Sequence, residues 1–154
     1  MIIIDDFLSE ELANEMYQLA ISGEYKQAPY YDFTFQHPPS DNYFLSADFV
    51  KFVAETTKID VKEMYEPFIS RTLKNGYYGW HTDKMRHGEK VTAIYYMNKY
   101  WDKDWGAILE LQDGTLVEPL YNRLVLMPLE QQQLHRVTTN VSDNFRYAFT
   151  GWLK

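Results

Sequence analysis

Two of the chain's four histidines and an aspartate fall within GWHTDKMRHG, residues 79–88. Imidazole nitrogens and carboxylate oxygens are metal ligands. Because the chain has no cysteine, any metal it binds must be held by nitrogen and oxygen rather than by thiolate. In a β-strand alternate side chains share a face, so His81 and Asp83 point the same way, one pleat apart, and Thr82 points away. A third ligand has to come from elsewhere, and His135, in the LHR segment on or near a later strand, is the candidate.

Two imidazoles and one carboxylate on one face of an ion leave half an octahedron open, the pattern of non-haem Fe(II) oxygenases. The open positions let the ion hold a co-substrate and dioxygen together. An HxD pair alone is weak evidence, since an exposed strand can carry both residues for solubility. His87, in the charged turn KMRHGEK, and His37, before Pro38 and Pro39, read as solvated loop residues, with substrate contact as the alternative.

The elements that position these residues are short strands. VTAIYYMN, GAILELQDG, TLVEPL, NRLVLMP and FRYAFTGWL are β-branched or aromatic segments separated by turn residues such as Asp113-Gly114 and Asn122, and PFISRTL and YYGWHTD precede them. Such spacing predicts an all-β sandwich or barrel. Before residue 60, Ile2 to Ile4 reads as a strand. FLSEELANEMYQLAIS reads as a helix capped by Ser9 and stopped at Gly23, and a second helix spans about 47–57. Between the helices, YYDFTFQ alternates like an edge strand and HPPSDN signals a loop.

At 154 residues the chain is read as a single domain, a helical and edge part over about 1–60 and a β core over about 61–153. Its content of 45% hydrophobic, 17% aromatic and 24% charged residues is that of a globular protein rich in aromatics. The net charge of −7 comes from scattered acids, and no Lys/Arg stripe is present to follow a phosphate backbone, which argues against nucleic acid. MIIIDDFLSEE has too short an apolar run for a signal peptide, and no run approaches the roughly 20 residues that cross a bilayer. The expectation is a soluble, cytoplasmic protein with no membrane partner.

The segments YYGWHTD, VTAIYYMNKYWDKDWGAILEL, VEPLYNRLVLMP, LHRV and RYAFTGWL follow one another in the order, and with about the spacing, of the 2-oxoglutarate- and Fe(II)-dependent prolyl hydroxylases. VTAIYYMNKYWD most resembles the hypoxia-inducible-factor type. The resemblance covers about residues 61–153. It implies a mainly β fold, a double-stranded β-helix or jelly roll with the N-terminal helices packed outside, and His81, Asp83 and His135 as the iron triad. It also implies that Arg146 pairs with the distal carboxylate of 2-oxoglutarate, for which a planar guanidinium is suited by its two parallel hydrogen bonds. Tyr96 matches a tyrosine whose hydroxyl reaches that carboxylate, and Thr150, on the same strand face as Arg146, is a further pocket candidate. Plain core packing is the competing reading of both.

The implied cofactors are Fe(II), 2-oxoglutarate and dioxygen, with ascorbate as a reductant. The implied reaction is hydroxylation of a peptidyl proline with release of succinate and carbon dioxide. A proline-containing peptide or protein is the expected partner. Lys84, Arg86 and Tyr78 are the candidates to meet it, and the Tyr/Pro-rich segment 25–45 is read either as an aromatic lid over it or as a cover for the barrel edge. Two rival readings stay open, an oxygenase of a free amino acid or other small molecule and a catalytically silent jelly-roll binding module. Retention of the triad together with Arg146 argues against silence.

Two departures from the family pattern stand out. Ala107 replaces the second of two glycines that the family commonly has at the strand that reads GAILEL here, and Arg71 and Thr72 occupy the region where a co-substrate-binding tyrosine often precedes the HxD strand.

Overall fold

A computed structural model describes residues 1–28, 33–83, 87–131 and 133–154. In chain order the elements are β1 (Ile2–Ile4), α1 (Glu10–Ser22), β2 (Lys26–Gln27), β3 (Thr34–Gln36), α2 (Ala47–Thr57), β4 (Met64–Thr72), β5 (Tyr78–His81), β6 (Val91–Tyr96), β7 (Leu109–Leu111), β8 (Leu116–Val117), β9 (Arg123–Pro128), β10 (His135–Val137) and β11 (Arg146–Leu153). Both helices begin where the sequence supplies an acceptor: Ser9 accepts from the Leu12 amide of α1, and Ser46 from the Phe49 amide of α2. Gly23 ends α1 in an extended conformation, whereas α2 ends on Lys58 in the left-handed region, φ 61°.

The strands form two antiparallel sheets, ordered β1-β9-β6-β11-β4-β3-β2 and β5-β10-β7-β8. They face each other across a core of Ile94, Tyr96, Val125, Met127 and Ala148 from the larger sheet and Leu109, Leu111 and Val117 from the smaller one. This is the expected double-stranded β-helix. The other face of the large sheet, with Val91, Ala93, Tyr95, Leu124, Leu126 and Phe149, packs against Ala13, Met16 and Ala20 of α1 and Phe49, Val50 and Val53 of α2. Strand β6 is therefore covered on both sides and buried at all six positions, which explains its lack of the polar alternation of a half-exposed strand.

The segment rich in Tyr and Pro divides. Phe44 enters the helix-side core and stacks on Phe149 with ring centroids 4.6 Å apart. β2 and β3 form a hairpin added to the edge of β4. From its end Phe33 stacks on Phe68, centroids 5.8 Å apart, and meets Tyr78 edge-on at 6.2 Å. Residues 29–32, which include the first three of the anticipated YYDFTFQ strand, lie outside the described residues.

Gly106 and Ala107 precede β7 at positive φ, 71° and 49°. Gly106 is obligatory, because a Cβ there would sit 2.0 Å from the Thr139 carbonyl oxygen. Ala107 is fully buried and carries a left-handed conformation that glycine would hold at lower cost.

Candidate metal centre

His81 is the last residue of β5 and His135 the first of β10, and the two are direct cross-strand partners. Residues opposite one another in an antiparallel pair share a face, so both rings project to the same side, with centroids 4.2 Å apart. With Asp83 they form a cluster whose potential ligand atoms all lie within 4.8 Å of one another. Among the described residues no other group of three or more His, Asp or Glu side chains meets that condition.

The strand expected through Asp83 stops at His81, so alternation along a ladder does not orient the carboxylate. A hydrogen bond does: Thr92 Oγ1, on β6, donates to Asp83 Oδ2 at 2.5 Å, which leaves Oδ1 facing His81 Nε2 at 3.8 Å. The histidines are fixed in a parallel manner. His81 Nδ1 lies 2.8 Å from the Gly79 carbonyl oxygen, and His135 Nδ1 lies 2.8 Å from that of Gln133. A carbonyl only accepts, so each Nδ1 carries a proton, and in the neutral ring Nε2 keeps its lone pair for an ion. Burial pushes the His81 imidazole below its ordinary value of 6.5, reinforced by His135 and opposed by the Gly79 carbonyl and by Asp83. The neutral ring thus favoured is the form that binds metal.

A small cavity beside the cluster is lined by Asp83, His135, Met127, Pro128, Leu129 and Gln133. On the same inner face of the large sheet lie Arg146 and Tyr96, 5% and 0% exposed, with the Arg146 guanidinium 5.0 Å above the Tyr96 ring. Neither the Tyr96 hydroxyl nor Arg146 Nε has a well-formed hydrogen bond. Burial raises the Tyr96 phenol, and the Arg146 charge acts against that rise. Unsatisfied polar groups of this kind are rare in native cores, and together these two suit an anionic guest with several acceptor oxygens. The donor set thus fits Fe(II) at the cluster, and the Arg146–Tyr96 pair on the inner face of the large sheet fits a carboxylate.

The remaining sequence candidates are placed as follows. Thr150 is half-buried on the Arg146 face, level with Phe68 and Ile94, two pleats along from Arg146. Tyr78 meets the His81 ring edge-on at 4.0 Å. It ends an aromatic row that runs through Phe33 and Phe68 to Trp152. Lys84 and Arg86 lie outside the described residues. His87 is half exposed, its Nδ1 3.2 Å from Glu89 Oε1, and His37 is exposed against Phe35. Arg71 is opposite Tyr147 and Thr72 opposite Arg146, so Thr72 faces inward. Arg71 turns to the helix side, its guanidinium 4.4 Å from the Tyr25 ring and 5.1 Å from that of Phe145.

The sequence pattern does not by itself single out Thr92 or the two carbonyl anchors. Its one usable signal was that Thr92 alternates with Ile94 and Tyr96, and so shares their face.

The profile of the 2OG-Fe(II) oxygenase superfamily matches residues 67–154. The human prolyl hydroxylase EGLN3 is 34% identical over 103 residues, covering 62% of this chain and 42% of that protein, and the mouse protein of the same name is 33% identical over the same length. The chain thus spans well under half the length of these relatives. Among solved structures, a Trichoplax adhaerens prolyl hydroxylase in complex with a hypoxia inducible factor oxygen degradation domain peptide fragment superposes with a TM-score of 0.78 at 20% identity, covering 99% of this chain and 82% of that one. A Pseudomonas putida prolyl-4-hydroxylase gives 0.78 at 22% identity, covering 99% and 91%. With more than half of its length matched by the profile, the chain belongs to the 2OG-Fe(II) oxygenase superfamily.

Proposed function

We propose that the protein is a 2-oxoglutarate-dependent dioxygenase that hydroxylates a proline in a peptide, with His81, Asp83 and His135 as the Fe(II) ligands and Arg146 and Tyr96 as the anchor for the distal carboxylate of 2-oxoglutarate. The observation that carries the reading is the pairing of a His-Asp-His cluster, its non-ligating atoms already engaged, with a buried arginine and tyrosine whose Nε and hydroxyl make no well-formed hydrogen bond. When bound, the iron and co-substrate supply dioxygen activation coupled to oxidative decarboxylation, giving succinate and carbon dioxide.

The chain's own residues do the positioning. Two backbone carbonyls orient the imidazoles, and Thr92 does the same for Asp83. Arg146 offers its guanidinium to a carboxylate and Tyr96 a hydroxyl, in surroundings where Ile94, Leu109, Leu111 and Val125 exclude water and so strengthen both interactions. Peptidyl proline is favoured as the substrate by the prolyl hydroxylases among the similar proteins. The aromatic row ending at Tyr78 supplies flat apolar surface of the kind that extended proline-containing peptides pack against. Tyr78, Lys84 and Arg86 are the residues we assign to the peptide, with Thr150 as a further residue of the co-substrate pocket. Ascorbate is the expected reductant, and a cysteine-free chain suits the cytoplasm.

The test mixes anaerobic Fe(II)-loaded protein with 2-oxoglutarate. A visible charge-transfer band, then succinate on admission of air, is expected, and absence of both sinks the oxygenase reading. A library of proline-containing peptides should then yield members heavier by one oxygen atom. Oxygen transfer to free amino acids alone would replace the peptide substrate with a small molecule.

A further inference from the structure

Each candidate ligand of the centre uses one atom for orientation and leaves another for the ion. For the histidines the orienting partner is a backbone carbonyl two residues earlier, which no substitution removes. For Asp83 it is a side chain, the hydroxyl of Thr92. Asp83 is also the ligand that needs help most, because it lies two residues beyond the end of β5, whereas both histidines belong to paired strands.

Thr92 itself is held firmly. It is 1% exposed, on a strand flanked by β9 and β11, with Met127 and Trp152 as its cross-strand partners. Its hydroxyl must donate, since an ionised carboxylate only accepts.

A carboxylate free to turn can present both oxygens to a metal and occupy two coordination positions. That would consume one of the three positions that a chelating co-substrate and dioxygen need. With Oδ2 engaged by Thr92, Oδ1 is left 3.8 Å from His81 Nε2.

Resting on the metal centre proposed above, we propose that Thr92 is its positioning residue, holding Asp83 as a one-oxygen ligand by hydrogen-bonding the other oxygen. Thr92 touches neither metal nor substrate and acts only through Asp83.

The test uses the full chain with Mn(II) and Co(II) as redox-silent probes. Thr92→Val keeps the shape and removes the donor, and Thr92→Ser keeps the donor and removes the methyl group. Mn(II) affinity, read from the free-ion electron paramagnetic resonance signal, should weaken by about ten- to a hundredfold in T92V, the range for loss of a ligand's hydrogen-bonding partner. T92S should bind as the wild type does. The visible Co(II) spectrum should change in T92V alone, as the carboxylate turns, and the melting temperature without metal should be similar in all three proteins.

Equal Mn(II) affinity in T92V and wild type, or equal loss in T92S and T92V, overturns the role of Thr92 and leaves the centre standing. Failure of the wild type to bind Mn(II) at all overturns the centre and Thr92 with it. Should T92V not fold, Thr92→Ala also removes the donor and is read against T92S in the same way.

Discussion

The two faces of the large sheet are built from the same strands and treat their polar groups in opposite ways. On the helix side, Tyr95 donates to Asn122 Oδ1 at 3.0 Å, and Asn122 also binds the Leu8 amide and carbonyl, so the polar atoms satisfy one another inside an aromatic core. One residue along, on the other face, the Tyr96 hydroxyl and the Nε of the arginine above its ring make no well-formed hydrogen bond. Polar groups paired internally stabilise a fold. Buried ones left unpaired cost stability, and such a cost persists where a guest offsets it.

This contrast is broken most severely at the cluster. His81→Ala, Asp83→Ala and His135→Ala should each abolish iron-dependent turnover, read as succinate release, with little change in the melting temperature of the metal-free protein. His87→Ala should leave metal binding intact. The opposite result is expected on the helix side. Phe149, fully buried and stacked on Phe44, should cost about 3–5 kcal/mol of stability when replaced by alanine, measured by denaturant unfolding.

Next in size are the co-substrate anchors. Arg146→Lys loses the planar fork and should raise the KM for 2-oxoglutarate by about ten- to a hundredfold, the equivalent of one charged hydrogen bond. Tyr96→Phe should raise it by less, about fivefold, and should change stability little, because the hydroxyl removed makes no well-formed hydrogen bond in the free protein. Tyr95→Phe breaks the Asn122 bond and should lower stability by about 1 kcal/mol without touching KM.

The smallest effect lies at the edge of the large sheet. Arg123 binds both oxygens of Asp5 and holds that carboxyl below its ordinary value of 3.8. A folded value lowered below the unfolded one contributes stability that is complete above the unfolded value and is lost as pH falls through the folded one. Asp5→Asn should therefore flatten the acid limb of a stability profile below about pH 4 and leave neutral-pH activity unchanged, a small change because Asp5 is largely exposed.

Much of this was legible in the primary structure. Short β-branched runs, turn residues and two serine caps placed nearly every element. The segments around His81, Asp83, His135 and Arg146 named the residues that the fold brings to one face. The alternation of Tyr95 and Tyr96 already assigned them opposite sides. What escaped was non-local. The turning of Arg71 between Tyr25 and Phe145 and the grip of Thr92 on Asp83 each depend on residues outside the local segment, and the alternation of YYGWHTD does not mark the end of β5 at His81.

The sequence by itself determined which residue types are available and, through the two-residue period of the strand, which of them share a face. That information is local and survives in any register. Only the tertiary structure decided that His81 stands opposite His135, that Arg146 lies over Tyr96, and that a threonine on the most enclosed strand meets the one ligand outside a ladder. The reason is physical: register and sheet packing are fixed by the burial of two faces at once, a constraint that no single segment contains.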